Sequence, residues 1–344
     1  MPDEGQTEGR KVDHIRIVLG EDVTAKGVTT GFAAYRLPHV AIPELDLTEV
    51  STATTFLGKP ISAPLLISSM TGGAGVAERI NLALAEAAEH LGLPMGVGSQ
   101  RAAVIDQRLA ATYQVRRLAP RIPLLANLGA VQLNYGFGVD HCRRAVDMIE
   151  ADALILHLNP LQEAVQPEGN TNFKGLLTKI EQLCRELDVP VVVKEVGNGI
   201  GAADAKRLYA CGVRVIDVAG AGGTSWSEVE RFRQPNDQGR RVAGAFADWG
   251  LPTTECVREV RAALPDATII ASGGVRSGVD VAKAIALGAD LAGTAKPALV
   301  SAIDERGSEA VVEGLSSFIR ELRVAMFCSG CADMAALRAL RVQS

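Results

Sequence analysis

The chain has 344 residues, 47% of them hydrophobic, and a formal net charge of -5. That is enough chain for one large core or two smaller ones; no apolar run is long enough to span a bilayer, and a mildly acidic chain is a poor candidate for binding nucleic acid. The polar start (Met1 to Arg10) lacks the apolar stretch of a secretory signal, and the six cysteines follow no framework spacing, so reduced thiols in a cytoplasmic protein are expected.

In chain order, residues 1–62 have scattered Pro and Gly and no clean period. They read as an extended N-terminal segment covering part of the rest or lying across its mouth. Arg10-Lys11-x-x-His14 sits there. Three potential cations so close together can clamp a diphosphate if the arm folds over a site, or be a solvated charge run if it does not.

From about residue 62 short apolar runs alternate with helical periodicity, the pattern of buried parallel strands and their crossover helices. Strands are predicted at 64–69, 93–98, 122–127, 153–158, 190–196, 214–219, 267–272 and 290–295. Helices are predicted at 76–91, 102–118, 139–150, 172–187, 202–211, 253–264, 278–287 and 308–326. Eight such units predict an α/β fold of the closed (β/α)8 type, with residues 63–344 as one catalytic barrel; a doubly wound sheet is the competing architecture. The stretch 220–250 breaks the rhythm after the sixth strand and reads as a long polar, Gly-rich loop of the kind that forms lids or binding loops.

Polar or glycine residues follow every strand. They are Ser68-Ser69-Met70-Thr71-Gly72-Gly73, Gly98-Ser99-Gln100-Arg101, Asn127-Leu128-Gly129, His157-x-Asn159-x-x-Gln162-Glu163, Lys194-Glu195-Val196-Gly197, Gly222-Gly223-Thr224-Ser225-Trp226, Ser272-Gly273-Gly274-Val275-Arg276 and Thr294-Ala295-Lys296. In a β/α barrel that rim carries the chemistry. The Gly-Gly-Val-Arg turn after strand seven and Ala-Lys after strand eight predict a phosphate site, since glycines let backbone N–H groups approach an anion. Lys194 on a buried strand needs a partner: either an ion pair with Glu195 or another rim carboxylate, or the N1/O2 edge of a flavin, whose anionic reduced form it would stabilise. Glu163 can hold Mg2+, and the nearby carboxamides and imidazole can position a small substrate; Asn159-Pro160 can equally be a turn. Cys328-x-x-Cys331, with no second pair and no nearby His, is a poor zinc motif and reads as incidental.

Taken together these motifs, with Asp248-Trp249-Gly250-x-Pro252-Thr253, resemble the type II, FMN-dependent isopentenyl-diphosphate isomerases over nearly the whole chain. The resemblance implies interconversion of isopentenyl and dimethylallyl diphosphate in isoprenoid precursor biosynthesis. It also implies FMN that must be reduced, NAD(P)H as reductant, Mg2+, and a homotetramer or homo-octamer. By position it implies FMN contacts from Ser69, Met70, Thr71, Ser99, Asn127, Lys194, Thr224, Gly274, Val275, Arg276, Ala295 and Lys296. Substrate contacts would come from Arg10, Lys11, Ser99, Gln100, Arg101 and Gln162, with His14, His157 and Asn159 close by; Glu163 would ligate the metal. Gln162, His157 and Asn159 are the catalytic candidates. The alternative is an FMN-dependent oxidoreductase of the 2-hydroxy-acid oxidase type, but those carry a His-Gly-Gly-Arg type segment where this chain has Ala221-Gly222-Gly223-Thr224-Ser225-Trp226.

Overall fold

The computed structural model describes residues 4–70 and 75–343; in its first helix, the side chains of residues 4–8 and Arg10 lie outside the described set. Eight parallel strands close into a barrel: β1 Leu65–Ile67, β2 Met95–Gly96, β3 Leu124–Gly129, β4 Ala153–Leu158, β5 Val191–Glu195, β6 Val215–Asp217, β7 Thr268–Ala271 and β8 Leu291–Thr294. Seven lie within their predicted segments; β3, predicted at 122–127, starts at Leu124 and runs on to Gly129. Strand β8 pairs with both β7 and β1, which completes the ring and excludes the open doubly wound sheet.

Alternation along the strands makes two apolar layers. Leu66, Leu125, Ile155, Val192, Val215, Ile270 and Leu291 point inward and form one cluster with Phe56 and Ile61. Those two belong to an antiparallel hairpin, Thr54–Phe56 with Lys59–Ile61, which therefore contributes to the barrel's interior packing. The alternate residues, such as Leu124, Leu154, Val193 and Ile269, pack outward beneath the helices. The same alternation sends Asn127, Lys194 and Asp217 to the inward side of their strands.

Three expectations need correction. The N-terminal arm begins with a helix, Glu4–Gly20, whose Ile15, Ile17 and Val18 are buried; its apolar residues crowd into the second half, so no period stood out over the whole arm. The single helix expected at 102–118 is broken. A short helix, Arg101–Ile105, gives way to a 3-10 turn, Gln107–Tyr113, because Asp106 adopts extended backbone and its carboxylate caps Arg108 N. The segment 220–250 is not one loop: it holds helices Trp226–Arg233 and Asp237–Gly244, capped by Ser225 and Asn236. Both are short and polar, which is why the sequence read as irregular. The six cysteines are free thiols, and among the described residues no helix is long and apolar enough to cross a membrane.

Candidate active site

One cavity of about 290 Å³ opens among the residues that follow the strands and the N-terminal helix. Of the candidates, Lys11, His14, Ser69, Met70, Ser99, Arg101, Asn127, His157, Asn159, Gln162, Glu163, Lys194, Thr224, Gly274, Val275, Arg276, Ala295 and Lys296 all line it. Thr71 and the Arg10 side chain lie outside the described residues. Gln100 does not line the cavity. Its side chain is fully buried; Nε2 donates to Ala145 O (2.8 Å) and Oε1 accepts from Asn127 N (2.9 Å). It ties the loop after β2 to β3 at Asn127 and to the following helix at Ala145.

The loop after β7 is built to face an anion. Gly273 and Gly274 take φ of +100° and +76°, and a Cβ on Gly273 would lie 2.1 Å from Gly220 O. Thr253 Oγ1 donates to Gly273 O (2.7 Å) and Thr294 Oγ1 to Val275 O (3.1 Å), pinning the turn. Among the described residues no acceptor takes the N–H of Gly274 or Val275, so both remain available at the cavity wall. The companion loop after β6 comes so close to the N-terminal segment that a Cβ on Gly222 would lie 2.1 Å from Thr30 N.

Lys194 is buried and inside the barrel, and its Nζ donates to the carbonyl of Glu195 (2.6 Å). The Glu195 carboxylate is otherwise engaged, accepting from the N–H groups of Val196, Gly197 and Asn198 at 2.6, 2.7 and 2.5 Å. Asp217, the register partner of Lys194 on β6, is 1% exposed and accepts from Ser272 Oγ (2.6 Å). Burial pushes its pKa up, against the pull of the Lys194 charge.

After β4, the strand paired with β5, comes a polar network. Asn159 Nδ2 donates to Gln162 Oε1 (3.1 Å) and Glu163 Oε1 (3.0 Å), while Gln166 Nε2 and Asn170 N donate to Glu163 Oε2. Gln162 Nε2 donates to Glu230 Oε1 (3.0 Å), which also takes His14 Nε2 (3.0 Å); Arg233 Nη1 donates to the other oxygen (2.5 Å). His14 also meets the Trp226 ring edge-on at 5.0 Å. Burial alone would raise the pKa of Glu230, but His14, Arg233 and Gln162 outweigh it and hold the carboxyl below its ordinary range. His157 Nδ1 pairs with Asn127 Oδ1 (2.8 Å), which fixes the ring. Sequence reasoning assigned no role to Glu230, Asp217, Tyr113 or Gln166, because their parts depend on contacts from distant segments.

Among the described residues, the hydroxyls of Ser68 and Ser69 are buried at this cavity with no partner, as is Asn159 Oδ1. Buried polar atoms are normally satisfied, so these are places where a bound cofactor and metal would supply the missing contacts. The glycine turn with its available N–H groups, the buried cation Lys194 and the unpartnered hydroxyls fit a phosphorylated flavin. Among the described residues no cluster of three or more His, Cys, Asp or Glu could hold a metal by itself. Glu163 with Asn159 Oδ1 fits Mg2+, which commonly takes one or two carboxylates and completes its shell with water and substrate phosphate.

Comparison with known proteins agrees with this chemistry. A family model described as FMN-dependent dehydrogenase matches residues 5–119 and 156–344. An isopentenyl-diphosphate delta-isomerase of Nostoc is 54% identical over 337 residues, covering 98% of this chain and 95% of the relative. One of Synechocystis is 56% identical over 331 residues (96% and 94%), and one of Stutzerimonas stutzeri 54% over 336 (97% and 96%). Among solved structures, mandelate oxidase with (S)-4-hydroxymandelic acid superposes with a TM-score of 0.65 at 21% identity, covering 100% of this chain and 99% of that one. Mandelate oxidase with (S)-2-phenylpropionate gives 0.66 at 22%, covering 100% and 98%. At that identity the likeness shows the shared barrel alone. The chain belongs to the FMN-dependent dehydrogenase family and, within it, to the type II isopentenyl-diphosphate delta-isomerases.

Proposed function

We propose that the chain interconverts isopentenyl diphosphate and dimethylallyl diphosphate on reduced FMN, with NAD(P)H as reductant and Mg2+ at the diphosphate, as a cytoplasmic homotetramer or homo-octamer. The observation carrying this reading is the convergence on one cavity of Lys11 and His14 from the N-terminal helix, a carboxamide–carboxylate network and a phosphate-type turn. The reaction must add a proton to an unactivated alkene carbon and remove one from the neighbouring allylic position, so positive charge develops between. Reduced FMN, when bound, supplies an electron-rich ring to stabilise that charge and a ring nitrogen able to exchange protons.

The chain's own residues do the rest. Gly274, Val275, Arg276, Ala295 and Lys296 would hold the cofactor phosphate, and Lys194 would sit at the edge of the ring where negative charge gathers on reduction. Lys11, His14 and Arg101, with Arg10 beside them in sequence, would hold the substrate diphosphate, and Glu163 with Asn159 the metal. Remote diphosphate binding of this kind supplies energy that orients the reacting end. Gln162 is held at both ends of its amide, by Asn159 and Glu230, which fixes the face it presents to the olefin. Asn127 orients His157 in the same way.

A 2-hydroxy-acid oxidase would need a base and a carboxylate-binding Arg after β6, and residues 221–226 supply neither. The test offers both substrate classes to the FMN-bound protein. Anaerobic reduction followed by isopentenyl diphosphate and Mg2+ should yield dimethylallyl diphosphate, and 2-hydroxy acids should not bleach the oxidised flavin. Bleaching by a 2-hydroxy acid, with no isomer formed, refutes the reading.

A further inference from the structure

Lys11 reaches the cavity from the N-terminal helix, and its ammonium is held there by a residue of another element. Nζ donates to the phenol oxygen of Tyr113 (2.7 Å) and to the carbonyl of Ser99 (3.2 Å). The phenol in turn donates to the same Ser99 carbonyl (2.8 Å). The three groups form a closed triangle that joins the helix, the loop after β2 and the 3-10 turn Gln107–Tyr113. Tyr113 is 0% exposed and ends that turn, so its ring is fixed by packing on all sides. Burial also pushes its pKa well up, so the phenol stays protonated and can accept from the ammonium while donating to the carbonyl. Tyr113 does not line the cavity; Lys11, Ser99 and Arg101 do.

We infer that Tyr113 is a positioning residue for substrate binding, fixing the Lys11 ammonium and the Ser99 backbone at the place where the diphosphate docks. The inference rests on the diphosphate reading of the N-terminal helix. A flexible lysine loses several rotatable bonds of freedom when it binds an anion. Anchoring its ammonium beforehand removes much of that cost, which is the general benefit of preorganisation. An apolar residue of equal size at 113 would fill the core equally well but remove the shorter of the two bonds that hold the ammonium here.

The test uses FMN-loaded protein with Mg2+ and inorganic pyrophosphate as the probe, with calorimetry for affinity and KM and kcat measured alongside. Tyr113→Phe deletes one buried oxygen and keeps the ring, so the fold is retained; FMN content and Tm check this. We expect Tyr113→Phe to weaken pyrophosphate about tenfold, the scale of one charge-assisted hydrogen bond, and to act on KM far more than on kcat. We expect Lys11→Ala to weaken it too, and the double variant to be no weaker than Lys11→Ala alone, since the two act as a unit. Wild-type pyrophosphate affinity in Tyr113→Phe, with Lys11→Ala weakened, overturns the inference and leaves the diphosphate reading standing. Unchanged affinity in Lys11→Ala overturns that reading, and the inference with it.

Discussion

Replacing Glu230 by Gln is the sharpest single perturbation of the mouth. The carboxylate is 0% exposed and accepts from His14, Gln162 and Arg233, so it ties the N-terminal helix, the helix after β4 and the helix after β6 to one point. Gln has the same shape but one acceptor oxygen, and its NH2 must then face a donor in a dry site. A broken buried pair costs about 3–5 kcal/mol, and a charged hydrogen bond about 1.5–3 kcal/mol. Arg233 keeps a second carboxylate, Glu168, at 2.7 Å, so a loss of about 2–4 kcal/mol is expected, near the lower bound of those ranges. Because His14 is the helix's link to this point, the loss should appear as local opening, multiplied roughly 30- to 900-fold, rather than as global unfolding. Hydrogen exchange over residues 11–20 measures this directly. The pH dependence gives a second check. A folded pKa held below the ordinary 4.5 means the latch contributes fully above that value and is lost as pH falls through the lower folded pKa. Protection of the helix in the native chain should therefore decay on acidification below about pH 4.5, and the Gln variant should show no such decay. Native-like exchange in Glu230→Gln at neutral pH would refute the reasoning.

Three further substitutions separate the parts of the site. Gly273→Ala forces a Cβ to 2.1 Å from Gly220 O at a φ of +100°; it should cost about 1–3 kcal/mol of strain or more and lower FMN affinity in a fluorescence titration, whereas native affinity would show that the turn does not carry the phosphate. Glu163→Gln should weaken Mg2+-dependent turnover with FMN still bound, and unaltered Mg2+ dependence counts against its metal role. Gln100→Ala removes two buried bonds to backbone and should lower Tm, at about 1 kcal/mol or more per bond; a raised KM at native Tm would instead make Gln100 a direct substrate ligand.

The barrel was legible because its strands are buried on both sides and so read as unbroken Val, Ile and Leu runs, each followed by a polar or glycine end. That same rule brought Asn127, His157, Lys194 and Lys296 to one cavity. What it missed has a common physical cause. The helix Trp226–Arg233 buries Glu228 and Glu230 in place of an apolar face, so no hydrophobic period marks it, and Glu230 becomes a site residue only through partners 68 and 216 positions away. Tyr113 looks like an ordinary core aromatic until Lys11, 102 positions earlier, docks on its hydroxyl. Gln100 misled in the opposite sense. It stands between two cavity residues, Ser99 and Arg101, yet its side chain turns away from them into the core, where it bonds Ala145 O and Asn127 N. Adjacency in a motif says which loop a residue occupies, and only packing says which way it faces.

The account is tested most directly by holding the FMN-bound protein reduced in D2O under argon, adding isopentenyl diphosphate and Mg2+, and following the mixture by NMR and absorbance together. Dimethylallyl diphosphate should form with solvent deuterium at its newly protonated carbon while the flavin spectrum stays that of the reduced cofactor. Failure to form the isomer, or oxidation of one flavin for each product molecule, would contradict it.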